Sequence, residues 1–318
     1  MGERRSTITF SSHGTSCEAD YLLAHSDVLT TAEGRPCVVM AHGFGTTRDS
    51  GLMPFAERFA AAGCDVLLFD YRGFGGSAAP DGGPRQDVDH RRHREDYHAA
   101  VAAARARPEV DPARIAVWGS SYSGGHVIAV AAQDPTIAAV ISQGAAVDGL
   151  KALTGRGKVR APGTVASGPP KGRGPALARA VLDDLARAAT RRPPRTIAFL
   201  GDADSGAMIS GPGAEQFAAL TGPTFRNEMC ARGIPRIAFN RPGRLAAKVA
   251  CPTLLVIAEY DEIAPSTAVH EVARRIGSPA EVVSYDCGHF AIYAGEEFES
   301  SVARQVEFLG RVLGDPRR

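Results

Sequence analysis

Three serines stand among small residues in the run Gly119-Ser120-Ser121-Tyr122-Ser123-Gly124-Gly125. A short apolar run of β character, residues 115–118, leads into them. A helical pattern rich in Ala and Val, residues 122–134, follows at once. A chain presents a serine hydroxyl as a nucleophile in this way, at the tip of a sharp strand-to-helix turn. The backbone of such a turn is strained, so a large side chain two places from the serine would collide with it. Ser120 fails this condition, because Trp118 lies two before it. Ser121 and Ser123 both satisfy it. Ser121 is preferred because it follows the strand directly, whereas Ser123 falls in the first turn of the helix. Gly124 and Gly125 would let that helix pack closely on a sheet. A phosphate-cradling loop is the rival reading. The chain has neither G-x-x-x-x-G-K-[ST] nor G-x-G-x-x-G with a following acid to support it.

A serine hydroxyl alone is a weak nucleophile; it needs a base, and the base needs an orienting acid. With the serine on such a turn, the expected chain order is Ser, acid, His. Beyond the helical pattern that follows Ser121 and holds His126, the only histidines are His270 and His289. His270 sits inside a helical pattern. His289 lies in Tyr285-Asp-Cys-Gly-His-Phe290, a loop just after the last strand, and is the expected base. The acid should leave the end of the strand Thr253–Ala258, where Glu259, Asp261 and Glu262 are the candidates. Asp261 is favoured, since the turn before Ile263-Ala-Pro265 would aim it toward His289; Asp148, after the preceding strand, is the fallback. A tetrahedral intermediate needs two N–H donors. Tyr122, next to the nucleophile, supplies one. The other is expected from Phe44 in Ala41-His-Gly-Phe-Gly-Thr46, where Gly43 and Gly45 let backbone approach a substrate. His42 is read as orienting this loop without taking part in the chemistry.

Such a site must be carried by strands that end at one edge of a sheet. Strand-like runs occur at residues 6–11, 19–23, 37–41, Asp65–Phe69, 115–118, 137–142, Thr253–Ala258 and 281–285. Helical patterns occur at 51–62, 87–107, 122–134, 267–276 and 296–313. The alternation implies βαβ units and an α/β fold with a doubly wound, mainly parallel sheet. It breaks between residues 144 and 249. Residues 1–143 and 250–318 are therefore expected to form the core, and 144–249 an inserted cap. Within that insertion, 155–175 is rich in Gly, Pro and basic residues and holds no acid. It would suit either a solvated loop or the attraction of an anionic substrate. A helix at 177–190, with Phe217 and Phe225, would supply either an apolar acyl pocket or the cap's own core.

The matching segments are His42-Gly-Phe-Gly45, Phe69-Asp-Tyr-Arg-Gly-Phe-Gly-Gly-Ser77, the Gly119–Gly125 turn, Glu259-Tyr-Asp261 and Gly288-His-Phe290. Together, in this order, they resemble the α/β-hydrolase superfamily over about residues 36–150 and 248–313. Ser123 stands where the last glycine of that family's turn is usual. With Ala41-His-Gly-Phe-Gly45 and Asn240-Arg-Pro-Gly243, this variant looks like bacterial members described as dienelactone-hydrolase-like or X-Pro-peptidase-like. Polyketide thioester hydrolases and transferases fall in the same grouping. The resemblance implies an α/β-hydrolase fold, a structural role for the Asp70–Ser77 loop, and hydrolysis of an ester or thioester through an acyl-enzyme. Acyl transfer or carbon–carbon cleavage with the same residues, or an inactive ligand-binding protein, are the alternatives. The resemblance does not extend to the cap, so the substrate class stays open.

Composition sets outer limits. The 318 residues suffice for one large α/β domain with an insertion, and 44% are hydrophobic. The formal net charge of +1 gives no electrostatic case for nucleic acid or an anionic membrane. No apolar run approaches the length of a membrane span, and no secretory leader pattern opens the chain. The six cysteines are scattered without zinc spacing and read as buried free thiols, so the default location is the cytoplasm. Neither a cofactor nor a metal is called for. The expected partner is a small-molecule acyl substrate, and a homo-oligomer is left open.

Overall fold

The computed structural model describes residues 4–162, 173–202, 205–210, 212–277 and 279–314. β1 (Arg5–Ser12) and β2 (Thr15–Leu22) form an antiparallel hairpin. Its two-residue turn, His13-Gly14, has positive φ at both positions (48° and 79°), matching the right-handed strand twist. β3 (Arg35–Ala41), α1 (Met53–Ala61), β4 (Asp65–Phe69), α2 (His90–Arg105), β5 (Val110–Ser120), α3 (Tyr122–Gln133) and β6 (Ala139–Gln143) then alternate. Between β6 and the next long strand come α4 (Gly149–Thr154), α5 (Arg173–Ala189) and β7 (Thr196–Ile197). β8 (Leu200–Gly201), β9 (Ile209–Ser210), α6 (Pro212–Ala218), β10 (Met229–Cys230) and α7 (Ile234–Phe239) follow them. The chain ends with β11 (Thr253–Ala258), α8 (Ser266–Ala273), β12 (Ala280–Tyr285) and α9 (Gly295–Leu313).

Eight strands make one sheet in the order β1-β2-β4-β3-β5-β6-β11-β12. β1, β2 and β4 pair antiparallel; every pairing from β4 across to β12 is parallel. This is the α/β-hydrolase fold that the alternation and the motifs imply. β4, β6 and β11 are buried along their whole length, as expected where helices cover both faces. Alternate residues of one strand serve opposite faces. Val39 and Val117 join Tyr97 of α2 and Val127 of α3 in one core cluster. Val38, Met40 and Trp118 join Phe55 and Phe59 of α1 and Phe308 of α9 in the other.

Residues 229–239 form the strand β10, a 3-10 turn at Ala231–Gly233 and the short α7. Pro235 fixes where α7 can start, and the Cys230 N–H is engaged by the Gln86 carbonyl at 2.8 Å, so no continuous helix forms there. Residues Pro242–Lys248 form a 3-10 turn packed on α3 and α8. This last part of the 144–249 stretch therefore belongs to the layer covering the sheet. Residues 163–172 of the basic segment lie outside the described residues. Among the described residues, no helix is long and apolar enough to cross a membrane.

The Asp70–Ser77 segment is a charged clasp. Asp70 accepts from the Arg48 backbone N–H (2.7 Å), the Gly76 N–H (3.1 Å) and the Arg48 guanidinium. The same guanidinium reaches Asp20 (3.0 Å) and Glu18 (2.6 Å), and its side chain is only 9% exposed. A side chain at Gly75 (φ 45°) would run into the Asp70 carboxylate. Removing one partner of such a buried set leaves uncompensated charge behind. Arg48→Met should therefore cost about 3–5 kcal/mol in urea unfolding. A loss below about 1 kcal/mol would show that the clasp is solvated.

Candidate active site

Ser121 sits at φ 59° and ψ −118°, a region that residues other than glycine rarely occupy. Such a conformation costs about 1–3 kcal/mol and persists only when its surroundings enforce it. Here the Ser121 N–H donates to the Gln143 carbonyl (2.8 Å), and the Ser121 carbonyl accepts from the Ala146 N–H (2.9 Å). A Cβ on Gly119 would lie 2.3 Å from the Ser123 carbonyl, and one on Gly125 would lie 2.4 Å from the Ala146 carbonyl. The small residues around the turn are thus required by backbone on both sides, and Gly124 and Gly125 do bring α3 close to the end of β6.

The three adjacent serines have separate surroundings. Ser123 is fully buried; its hydroxyl lies 2.9 Å from both the Ala41 and Ser120 carbonyls and accepts the Ser120 N–H at 2.8 Å. A glycine here could not tie α3 to β3. Ser120 Oγ is 2.6 Å from the Tyr293 hydroxyl and accepts from Gln143 Nε2 at 3.3 Å. Ser121 Oγ is 3.0 Å from His289 Nε2.

His289 Nδ1 is in turn 2.5 Å from Asp261 Oδ2. The other oxygen of Asp261 accepts the N–H groups of Ile263 (2.8 Å) and Ala264 (2.6 Å). That turn after β11 leaves Oδ2 facing the imidazole. His289 and Asp261 are each 1% exposed. Burial pushes the imidazole pKa down. The charge and hydrogen bond of Asp261, helped by Glu262, outweigh it and hold the pKa above the ordinary histidine value, with Lys158 opposing.

The remaining candidates have other attachments. Glu262 accepts the His289 backbone N–H at 3.1 Å, and Lys158 donates to the Glu262 carbonyl. Glu259 pairs with His270 on α8 at 2.9 Å. Asp148, the fallback, caps α4 through the N–H groups of Leu150 and Lys151 and pairs with Arg241 at 2.8 Å. Cys287, close in sequence to His289, is held at a pKa of about 12, mainly by burial and then by nearby carboxylates. All six cysteines are buried and unpaired.

Gly43 lies directly against the serine, since a Cβ there would be 3.2 Å from Ser121 Cβ. The buried His42 stands behind this loop. The Tyr71 N–H donates to His42 Nε2 (3.4 Å), so Nδ1 carries the proton and donates to the Gly43 carbonyl at 3.1 Å. In a trans peptide the carbonyl and the following N–H point in opposite directions. Holding the Gly43 carbonyl therefore turns the Phe44 N–H away from His42. Among the described residues, neither the Phe44 nor the Tyr122 N–H meets a protein acceptor. Both are free to stabilise negative charge beside Ser121.

Two features escape sequence reasoning. Beneath the turn, Trp118 donates to Gln305 (2.7 Å), Gln305 to Gln143 (2.7 Å), and Gln143 to Ser120. No local pattern pairs α9 with the end of β6. Above the turn, Phe199 contacts Phe44, Phe217 and Phe225, and Phe217 contacts Phe290, whose ring meets His289. Phe217 and Phe225 thus sit over the site, whereas α5 packs on β7 and Ala231–Gly233 and exposes Leu182 and Leu185. Phe199 lies in a short apolar run without periodicity.

A strained serine at a strand-to-helix turn, on a mainly parallel sheet, is the arrangement of the α/β-hydrolases. The chain belongs to that family: the model of the alpha/beta hydrolase family matches residues 38–300. It is 35% identical to the quorum-quenching protein AidA of Acinetobacter baumannii (strain MDR-ZJ06), covering 96% of this chain and 94% of that protein. It is 29% identical to the polyketide transferase ATR5 of Stachybotrys chlorohalonatus, over 87% of this chain and 89% of that protein. Among solved structures, the alpha/beta hydrolase GrgF from Penicillium sp. sh18 superposes with a TM-score of 0.76 at 22% identity, over 97% of this chain and 99% of that one. The protein is a hydrolase-family enzyme.

Proposed function

We propose that the protein is a serine hydrolase of small-molecule esters or thioesters, acting through Ser121, His289 and Asp261 and an acyl-enzyme. The observation that carries this reading is the hydrogen-bonded chain from Asp261 through His289 to Ser121 Oγ, on a backbone strained to present that hydroxyl. His289 Nε2 takes the Ser121 proton as Oγ attacks the acyl carbon. Asp261 keeps the Nδ1 proton in place and stabilises the imidazolium without itself being protonated. The Phe44 and Tyr122 N–H groups receive the oxyanion. The leaving alcohol or thiol departs with the proton held on His289. Water then attacks the acyl carbon as it gives a proton to His289; the bond to Ser121 Oγ breaks, His289 returns that proton to Oγ, and the acid leaves.

Residues 144–249 act in this reading as a cap over the core, with the last turn, Pro242–Lys248, joining the core layer. Phe199, Phe217 and Phe290 form an apolar wall for the acyl group. Six buried free thiols suit a reducing compartment, the cytoplasm. A second reading, transfer of the acyl group to an alcohol or amine in place of water, is favoured by the likeness to the polyketide transferase.

The test is labelling and turnover together. A serine-directed fluorophosphonate should add one mass increment to the peptide bearing Ser121. A panel of p-nitrophenyl esters, cyclic esters and N-acetylcysteamine thioesters should be turned over, with product analysis in the presence of competing alcohol or amine separating hydrolysis from transfer. Absence of labelling, together with no turnover across the panel, would remove the proposal.

A further inference from the structure

Among the described residues, Arg94 of α2 is an arginine without an acid. Around it, Arg72 pairs with Asp96, Arg92 and Arg236 with Asp87, and Arg241 with Asp148. Among the described residues no carboxylate forms an ion pair with Arg94, and its Nε is buried without a protein partner. Its guanidinium donates to the Asn240 side-chain carbonyl. Asn240 is itself fully buried, with its amide beside the Tyr122 hydroxyl. A part-buried guanidinium whose neighbours are an amide and the Tyr122 phenol lacks a counter-charge, and an anion reaching it from outside would supply one. Burial, reinforced by Arg91, pulls its pKa down.

Arg94 opens onto a cleft of about 480 Å³, whose lining includes none of Ser121, Asp261 or His289. Arg241 and Arg244 line it too, with no acidic residue among its walls. Arg244 is exposed and forms no ion pair among the described residues. The remaining lining is apolar. Phe239 is 75% exposed, Leu150 is 44% exposed, and Leu245 lies beside them. Large apolar groups left in water beside unpaired cations suit a ligand with both characters.

We infer that this cleft, between α2, α4, α7 and the Pro242–Lys248 turn, is a second ligand site for an anion with an apolar body. Its carboxylate or phosphate head is held by Arg94 and Arg244, and its hydrocarbon or aryl part rests on Phe239, Leu150 and Leu245. Arginine's fork of donors suits either head group. The site stands independently of the chemistry assigned to Ser121.

Calorimetric titration of the full chain tests it with octanoate, octyl phosphate, inorganic phosphate and octyltrimethylammonium. Octanoate or octyl phosphate should bind at one site, and the tighter of the two identifies the head group. Affinity should fall about ten- to a hundredfold in Arg244→Glu and in Arg94→Met, and should weaken as salt rises. Arg244 is exposed and unpaired, so its variant carries the test even if Arg94→Met fails to fold. Unchanged affinity in Arg244→Glu, equal binding of the cationic amphiphile, or no binding of either octyl anion would overturn the site. Inorganic phosphate binding as tightly as octyl phosphate would overturn the apolar part of it.

Discussion

Ser121→Ala should abolish turnover of short p-nitrophenyl esters, lowering kcat by about six orders of magnitude, and should remove fluorophosphonate labelling. The replacement keeps the Cβ and deletes only Oγ, the atom 3.0 Å from His289 Nε2. Stability should therefore stay close to that of the parent, and thermal melting checks this. Ser123→Ala is the natural control. It removes a buried hydroxyl that bridges the Ala41 and Ser120 carbonyls, so it should lower stability while labelling of Ser121 persists. Ester turnover retained in folded Ser121→Ala would show that the hydroxyl is not the nucleophile.

Asp261→Asn should lower kcat by about four orders of magnitude with little change in fold. An amide there can present its NH2 to His289 Nδ1 and force the wrong tautomer, with the proton on Nε2 facing Ser121. The pH profile gives an independent reading. His289 must be neutral to accept the serine proton, and its pKa is held above 6.5 against the downward pull of burial, chiefly by Asp261. The acidic limb of kcat/KM in the parent should thus lie above pH 6.5. In Asp261→Asn the carboxylate is gone and burial remains, so the limb of any residual activity should move to lower pH. Linkage gives the matching sign for stability. A folded-state pKa above the unfolded one contributes stability below about pH 6.5, and this is lost as pH rises through the folded value. An unmoved limb, or a larger loss in Asp148→Asn, would place the orienting acid elsewhere.

Much of the site is legible in the amino-acid sequence because the topology constrains it. Parallel strands end at one sheet edge, so a serine after β5, an acid after β11 and a histidine after β12 must converge there. A place in the loop after β12, against one inside α8, therefore separates His289 from His270. Between Asp261, Glu259 and Glu262 the choice is only a preference, because all three follow β11. Their different partners emerge from turn geometry: Asp261 binds two N–H groups of its own turn, Glu259 meets His270, and Glu262 meets the His289 backbone.

Sequence by itself determined the alternation of the core, the small residues about Ser121 and the order of the chemical groups. These are local patterns of period, size and chain order, and each leaves its mark within a few residues. Tertiary structure alone decided what Ser123 holds together, which carboxylate faces His289, how His42 turns the Phe44 peptide, and which aromatic rings lie over the site. It also decided that, among the described residues, Arg94 has no acid partner. Those outcomes depend on side chains far apart in the chain, such as Gln143 with Gln305 or Phe44 with Phe199. Local periodicity carries no record of contacts at that separation.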